Sequence, residues 1–285
     1  QMCKPSTKDF KVDNTSKTIE VEVADSKICP RYSGLSICGV KVAASPEWLQ
    51  NKLKAIGIAP TNNVVDITNY VLHEIGQPLH AFDANKIEGN KIVVACVKEK
   101  TKFTTLEGQE RELSATDLMI SDAKKPLCIA GVFGGLDSGV TESTTDVFLE
   151  SAYFNPVSVR KSAKRHNLNT DASFRFERGC DPNSTVYALK RAALLIQEIC
   201  GGKISSEVID IYPNPIAHFA VELTYAKMDS LIGEKIDRQV VKNILIDLEI
   251  EISKENPDGL SLLVPPFRAD VQREVDVIEE ILRIY

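Results

Sequence analysis

Four carboxylates crowd the end of the chain. In RADVQREVDVIEEILRIY, Asp276, Glu279 and Glu280 fall at i, i+3 and i+4, and Asp270 lies just upstream. Side chains at that spacing share one side of a helix. Such hard oxygen donors can hold Mg²⁺ with several waters retained; they also read as acidic residues favoured in early helical turns. Upstream, PLCIAGVFGGLDSGV sends an apolar strand into a loop holding Gly131, Gly134, Gly135 and Gly139. It contains neither GK[ST] nor GxGxxG spacing, so it is neither a P-loop nor a dinucleotide fingerprint. The glycines permit a ligand to approach the backbone, or simply a tight turn. Between residues 160 and 178, six Lys/Arg stand against two acidic residues, with Phe174 and Phe176 interleaved. That mixture suits phosphates and stacked bases, or a solvated helix followed by a strand with inward phenylalanines. His80, in GQPLHAFD, is one of four histidines. No Ser-His-Asp order or HExxH spacing makes it catalytic, so catalyst, ligand and turn-filler stay open.

These residues need elements to hold them. SPEWLQNKLKAIG predicts a helix capped by Ser45, with Pro46 in its first turn and Gly57 at its exit. NNVVDITNYVLHEIG opens on a β-branched run and closes in Gly-Pro turn chemistry. NKIVVACV and DVFLESAYF predict strands, Glu107-Gly108 a turn between short strands, and Asn155-Pro156 a helix start. In DPNSTVYALKRAALLIQEICGG, Val186, Leu189, Ala193, Ile196 and Cys200 recur at helical spacing, with Asp181 as cap, Pro182 in the first position and Gly201 as stop. The Pro-rich YPNPIAH marks a boundary. The expected organisation is a leading linker or strand over residues 1–29, a domain over 30–213 and a small domain over 219–285. The small domain reads as strand, two helices, a hairpin around Asn256–Gly259 and a last helix, whose apolar stripe is Val271, Val275, Ile278, Leu282 and Tyr285. Strands and helices mix without βαβ alternation, so the first domain is α+β with a mixed or mostly antiparallel sheet.

Composition narrows the classes. The net charge of −6 excludes binding of nucleic acid by bulk charge, so any such contact is a local patch. Seven scattered cysteines without a CxxC pair fit reduced thiols in a cytoplasmic protein. No apolar run approaches the ~18 residues of a membrane span, and no secretory signal pattern opens the chain. The chain begins at Gln1 and stops in unbroken helical periodicity, which reads as a piece of a longer chain.

Taken in order, TNYVLHEIGQPLHAFD, IAGVFGGLDSGVT, FLESAYFNP and NTDASFRFERGCDP resemble the editing module of the bacterial phenylalanyl-tRNA synthetase beta subunit. PPFRADVQREVDVIEEILRIY resembles the next domain of that subunit, with its P-x-x-R-x-D and D-x-x-E-E pattern. The resemblance covers roughly residues 30–285. It implies a mixed-sheet α+β editing domain followed by a small α+β, winged-helix-like domain. It also implies an α₂β₂ ligase that charges tRNA(Phe) using ATP and Mg²⁺ at an alpha-subunit site, while the beta module hydrolyses mischarged Tyr-tRNA(Phe). By the same resemblance Glu150 accepts the tyrosyl hydroxyl, Gly134 leaves room for the ring, and Ala130 and Gly131 line the wall. Thr170 and Ala172 match pocket residues, Thr68 and Asn69 lie near the ester, and His80 positions water or the terminal ribose. Arg160, Lys161, Lys164 and Arg165 become a tRNA contact, and Asp270, Asp276, Glu279 and Glu280 match Mg²⁺ positions. The competing expectations are a non-catalytic scaffold for tRNA and the alpha subunit, and a small-ligand domain using the glycine loop.

Overall fold

A computed structural model describes residues 4–285, so Cys3 lies outside the described residues. The chain divides into two compact units at Asn214 and Pro215.

The first unit opens with β1 (Glu20–Val23), β2 (Arg31–Cys38), α1 (Glu47–Ala55), α2 (Asn63–Ile75) and β3 (Leu79–Asp83). There follow β4 (Lys91–Cys96), β5 (Thr101–Thr104), β6 (Glu110–Leu113), β7 (Leu118–Ser121), β8 (Pro126–Ile129), β9 (Phe133–Gly134) and β10 (Asp146–Tyr153). Then come α3 (Pro156–His166), α4 (Asp171–Arg178), α5 (Thr185–Cys200), β11 (Lys203–Ile204) and β12 (Ile209–Ile211). One sheet runs β1-β4-β7-β8-β9, with β1 parallel to β4 and the remaining pairs antiparallel. The other runs β11-β2-β10-β3, antiparallel throughout, with β12 also on β2. The architecture is α+β with a mixed sheet, as expected. The leading segment joins the fold: Ile19 is buried and β1 pairs with β4.

Strand alternation divides the core in two. Val147 and Leu149 of β10, with Leu35, Ile37 and Ala81, pack beneath α1, α2 and α5. Phe148 and Ala152, with Tyr32 and Phe82, pack on the opposite side with the residues of the mixed sheet. Glu150 shares the parity of Phe148 and Ala152, so register puts a carboxyl where the pattern calls for an apolar side chain.

Several local expectations are corrected. The β-branched run at 64–68, left unassigned by its composition, is helical: Asn62 caps α2 by accepting from Val65 N, and Val64, Ile67 and Val71 recur at 3 and 4. Packing of that stripe overrides β propensity. Residues 171–178 are a helix, not a strand, because Thr170 and Ser173 close a capping box; Phe176 is buried while Phe174 is exposed beneath the Arg178 guanidinium. Pro46 occupies the N-cap of α1, and Ser45 donates to Asp66 instead of capping. The N-cap of α5 is Ser184, a turn later than Asp181-Pro182.

A buried carboxylate fixes α3. Asp117 is 0% exposed, accepts from Ser162 Oγ at 2.6 Å and from Ser114 N at 2.9 Å, pairs with His166 Nε2 at 2.7 Å and meets Arg165. Burial alone would raise its pKa, but hydrogen bonds from Ser162, Ser114 and His166 bring it below the ordinary value. Asp117→Ala leaves His166 and Arg165 without their partner and is expected to cost about 3 kcal/mol or more in urea unfolding.

The second unit holds β13 (Phe219–Thr224), α6 (Tyr225–Ile232), α7 (Arg238–Asp247), β14 (Glu251–Asn256), β15 (Gly259–Val264) and α8 (Glu274–Ile284), with strand order β13-β15-β14. On α8 the buried apolar residues are Val277, Ile278 and Ile281. Val275, Leu282 and Tyr285 of the expected stripe are exposed.

Candidate editing site

Glu150 stands in the middle of its sheet. It lies opposite His80 on β3 and opposite Gly34 on β2. It is 5% exposed, and its Oε2 accepts from the Tyr32 hydroxyl at 3.4 Å. Burial raises its pKa from 4.5 to about 8, against the lowering effect of the Tyr32 hydrogen bond. Glu150 is therefore protonated at neutral pH, able to accept through its carbonyl oxygen and donate through its hydroxyl.

His80 is half-buried, but its Nε2 is shielded and has no hydrogen-bond partner among the described residues. Its ring packs edge-on to Phe82 with centroids 4.4 Å apart. Burial lowers its pKa from 6.5 to about 4, so the imidazole is neutral at pH 7. A base so weak is poorly matched to proton abstraction at that pH; a neutral ring still positions a hydroxyl or water.

Gly134 comes to the same place from β9. A Cβ there would lie 3.3 Å from His80 Cε1 and 2.9 Å from Leu106 Cδ1. Leu106, 47% exposed, is held over this strand by its N–H donating to Gly134 O at 3.0 Å. Two open clefts lie elsewhere. One, of about 640 Å³, includes Trp48 and Asn63; the other, of about 160 Å³, includes Phe103 and Leu136. Neither of these two clefts is lined by His80, Gly134 or Glu150.

The remaining expected residues divide. Ala130 is buried, with its N–H donating to Leu118 O at 2.9 Å. Gly131 takes φ +68°, and its free side is filled by Phe154 and Phe176 rather than facing Glu150. Thr170 caps α4 and donates to Val132 O at 3.0 Å, with Ala172 packed against the same core. Thr68 donates to Val65 O at 2.7 Å within α2, the helix covering the side of the sheet away from Glu150. Asn69 lies one turn before His73 on α2, and His73 Nδ1 accepts from Arg175 of α4 at 3.4 Å. Helices α2 and α4 thus meet through His73 and Arg175. Arg160, Lys161 and Lys164 are exposed along α3, whereas Arg165 is committed to Asp117 and Thr116.

The four carboxylates matched to Mg²⁺ positions do not share one free donor set in this chain. Asp276 accepts from the Arg273 guanidinium and from the backbone of Gln272 and Arg273. Glu280 pairs with Arg268 at 3.2 Å and Arg283 at 2.8 Å, while Asp270 and Glu279 are exposed. Among the described residues no group of three or more His, Cys, Asp or Glu could hold a metal ion. Arginines already neutralise the two best-placed carboxylates, so this set does not fit Mg²⁺.

Family comparison now bears on this geometry. The family model described as B3/4 domain matches residues 28–201, which contain β2, β3 and β10, the strands that hold Glu150 and its two neighbours across the sheet. The chain belongs to the B3/4 domain family. A second model, the tRNA synthetase B5 domain, matches residues 221–285. The chain is 58% identical over its full length to a phenylalanine–tRNA ligase beta subunit of Bacteroides fragilis, of which it covers 35%. It is 57% identical over 96% of its length to that of Porphyromonas gingivalis and 42% over 93% to that of Geobacter sulfurreducens, covering 33% of each. The chain therefore spans about a third of these relatives' length. A crystal structure of an N-terminal fragment of the phenylalanyl-tRNA synthetase beta-subunit from Pyrococcus horikoshii matches at 15% identity and TM-score 0.46, over 96% of this chain and 76% of that one; the assignment does not rest on it. Among the described residues no helix is long and apolar enough to cross a membrane.

Within the B3/4 domain, sequence reasoning missed Tyr32, Cys29 and Cys128, which surround Glu150. Only the Cβ-less Gly34 in RYSGLSIC marked a crowded spot, since a Cβ there would meet Phe148 Cζ at 2.5 Å.

The two neutral groups set a pH response. Glu150's folded pKa is raised, so its contribution is complete below about 4.5 and is lost as pH rises through about 8. His80's is depressed, so its contribution is complete above about 6.5 and is lost as pH falls through about 4. Glu150→Gln is expected to remove the alkaline loss. Between pH 6 and 9 the wild type should lose roughly 2 to 3 kcal/mol that the variant keeps, measured by urea unfolding.

Proposed function

We propose that this chain is an editing hydrolase module that cleaves the ester of tyrosine wrongly attached to tRNA(Phe). The reading carries with it a place in an α₂β₂ phenylalanine–tRNA ligase, whose alpha subunit charges tRNA using ATP and Mg²⁺. The observation that supports it best is the buried, uncharged Glu150 facing His80, with Gly134 close against the His80 ring.

The chemistry follows from what a synthetase pocket cannot do. A pocket shaped for phenylalanine rejects tyrosine only by ~10², because the two differ by a hydroxyl. A second pocket inverts the test. Glu150 satisfies a phenolic hydroxyl; a phenylalanyl ring leaves it buried and unpaired, at about 1–3 kcal/mol. The ester needs no triad: a water held near the neutral His80 imidazole and a terminal ribose hydroxyl, correctly oriented, supply the reacting groups. Arg160, Lys161 and Lys164 on α3 meet acceptor-stem phosphates.

The test is deacylation of preformed Tyr-tRNA(Phe) by this chain, with Phe-tRNA(Phe) as control. Selective release of tyrosine is expected. Absence of release at saturating tRNA binding overturns the reading and leaves a scaffold for tRNA and the alpha subunit.

A further inference from the structure

The Glu150 carboxyl is held by one contact. Tyr32 is 0% exposed and donates to Oε2 at 3.4 Å; no donor among the described residues reaches Oε1. Tyr32 pairs with Ala152 and Gly34 pairs with Glu150, so the phenol reaches the carboxyl along the diagonal of one side of the β2–β10 ladder. Gly34 makes this possible: any side chain there would collide with the Phe148 ring. The other titratable groups around Glu150 are the thiols of Cys29 and Cys128, both pushed up by burial, and His80 opposite it. None is a cation at neutral pH.

We propose that Tyr32 is a positioning residue of this site: by donating to Oε2 it fixes the Glu150 carboxyl and leaves Oε1 as the oxygen that meets the hydroxyl of a bound tyrosyl group. This rests on the editing reading for the identity of the ligand. In this arrangement Oε2, as acceptor of the Tyr32 hydroxyl, is assigned as the carbonyl oxygen of the neutral acid, which places the acid's own proton on Oε1. An incoming phenol then accepts from Oε1–H. The protein carries its own phenol against one oxygen and reads the substrate's phenol with the other.

The experiment is a ¹³C titration of the Glu150 carboxyl in the full chain, assigned by its loss in Glu150→Gln, run beside deacylation of Tyr-tRNA(Phe). Tyr32→Phe keeps the ring and removes the hydrogen bond that favours the charged form, so the Glu150 midpoint should move up. KM for Tyr-tRNA(Phe) should rise about fivefold, with kcat changed less. Fluorotyrosine in place of Tyr32 is a stronger donor of the same shape and should move the midpoint down; it decides the matter if Tyr32→Phe does not fold. An unmoved midpoint in a folded variant overturns the proposal. If the wild type releases no tyrosine but the midpoint moves, the hydrolase reading fails and the positioning of Glu150 by Tyr32 stands.

Discussion

Gly134→Val is expected to lower deacylation of Tyr-tRNA(Phe) by about 10² or more while the protein stays folded. Gly134 does not adopt positive φ, so β9 accepts a side chain without backbone strain. The atoms a Cβ would meet are Leu106 Cδ1 at 2.9 Å and His80 Cε1 at 3.3 Å. The first is the tip of a flexible, half-exposed side chain that can swing aside, so the cost in stability should stay near about 1 kcal/mol. The added methyls nevertheless crowd the His80 ring from the side of β9. Displacing a bound ester by even about 1 Å from its reacting geometry is enough for a hundredfold loss. Gly135→Ala is the contrasting control: its Cβ would stand 2.6 Å from the Leu127 carbonyl oxygen, which belongs to the backbone and cannot swing away. That variant should lose stability first and activity with it. Thermal midpoints beside kcat/KM separate the two, and full activity in a folded Gly134→Val would remove Gly134 from the site.

Glu150→Ala is expected to reduce Tyr-tRNA(Phe) deacylation by about 10 to 100-fold, the effect of withdrawing the partner of a buried hydroxyl. Glu150→Gln should be milder, within about tenfold. The reason is the charge state: with the acid raised to about 8, the native group is already neutral and both donates and accepts, as an amide does. A carboxylate acting as an anion would predict the reverse, with Gln as damaging as Ala. The three proteins compared at pH 7 by single-turnover release of tyrosine distinguish the cases.

Much of the frame was legible because local chemistry decided it. Asn155-Pro156 starts α3 by accepting from Val157 N and Ser158 N, Gly201 stops α5 at φ +72°, and Glu107-Gly108 turns between β5 and β6. The misreadings share a cause. In α4, a capping box outvoted the alternation of Phe174 and Phe176; on α8, burial of Val277, Ile278 and Ile281 displaced the stripe through Val275 and Leu282. Each is a tertiary decision invisible in a short window. The site shows this most sharply. Nothing in FLESA distinguishes Glu150 from a solvated strand carboxylate; its burial depends on register with His80, 70 residues upstream, and Gly34, further still. The acidic cluster differs: its spacing was legible, but not that Arg268, Arg273 and Arg283 pair with Glu280 and Asp276. Family resemblance supplied the roles of Glu150, Gly134 and His80, and the structure supplied the physical setting in which those roles make sense.

The central claim is that one buried carboxyl reads one hydroxyl. The direct measurement is the ratio of kcat/KM for Tyr-tRNA(Phe) over Phe-tRNA(Phe), in the wild type and in Glu150→Ala. The account predicts a ratio well above one that collapses toward one in the variant, because the variant loses the tyrosyl reaction and not the phenylalanyl one. A ratio unchanged by the substitution, in a folded protein, would contradict it.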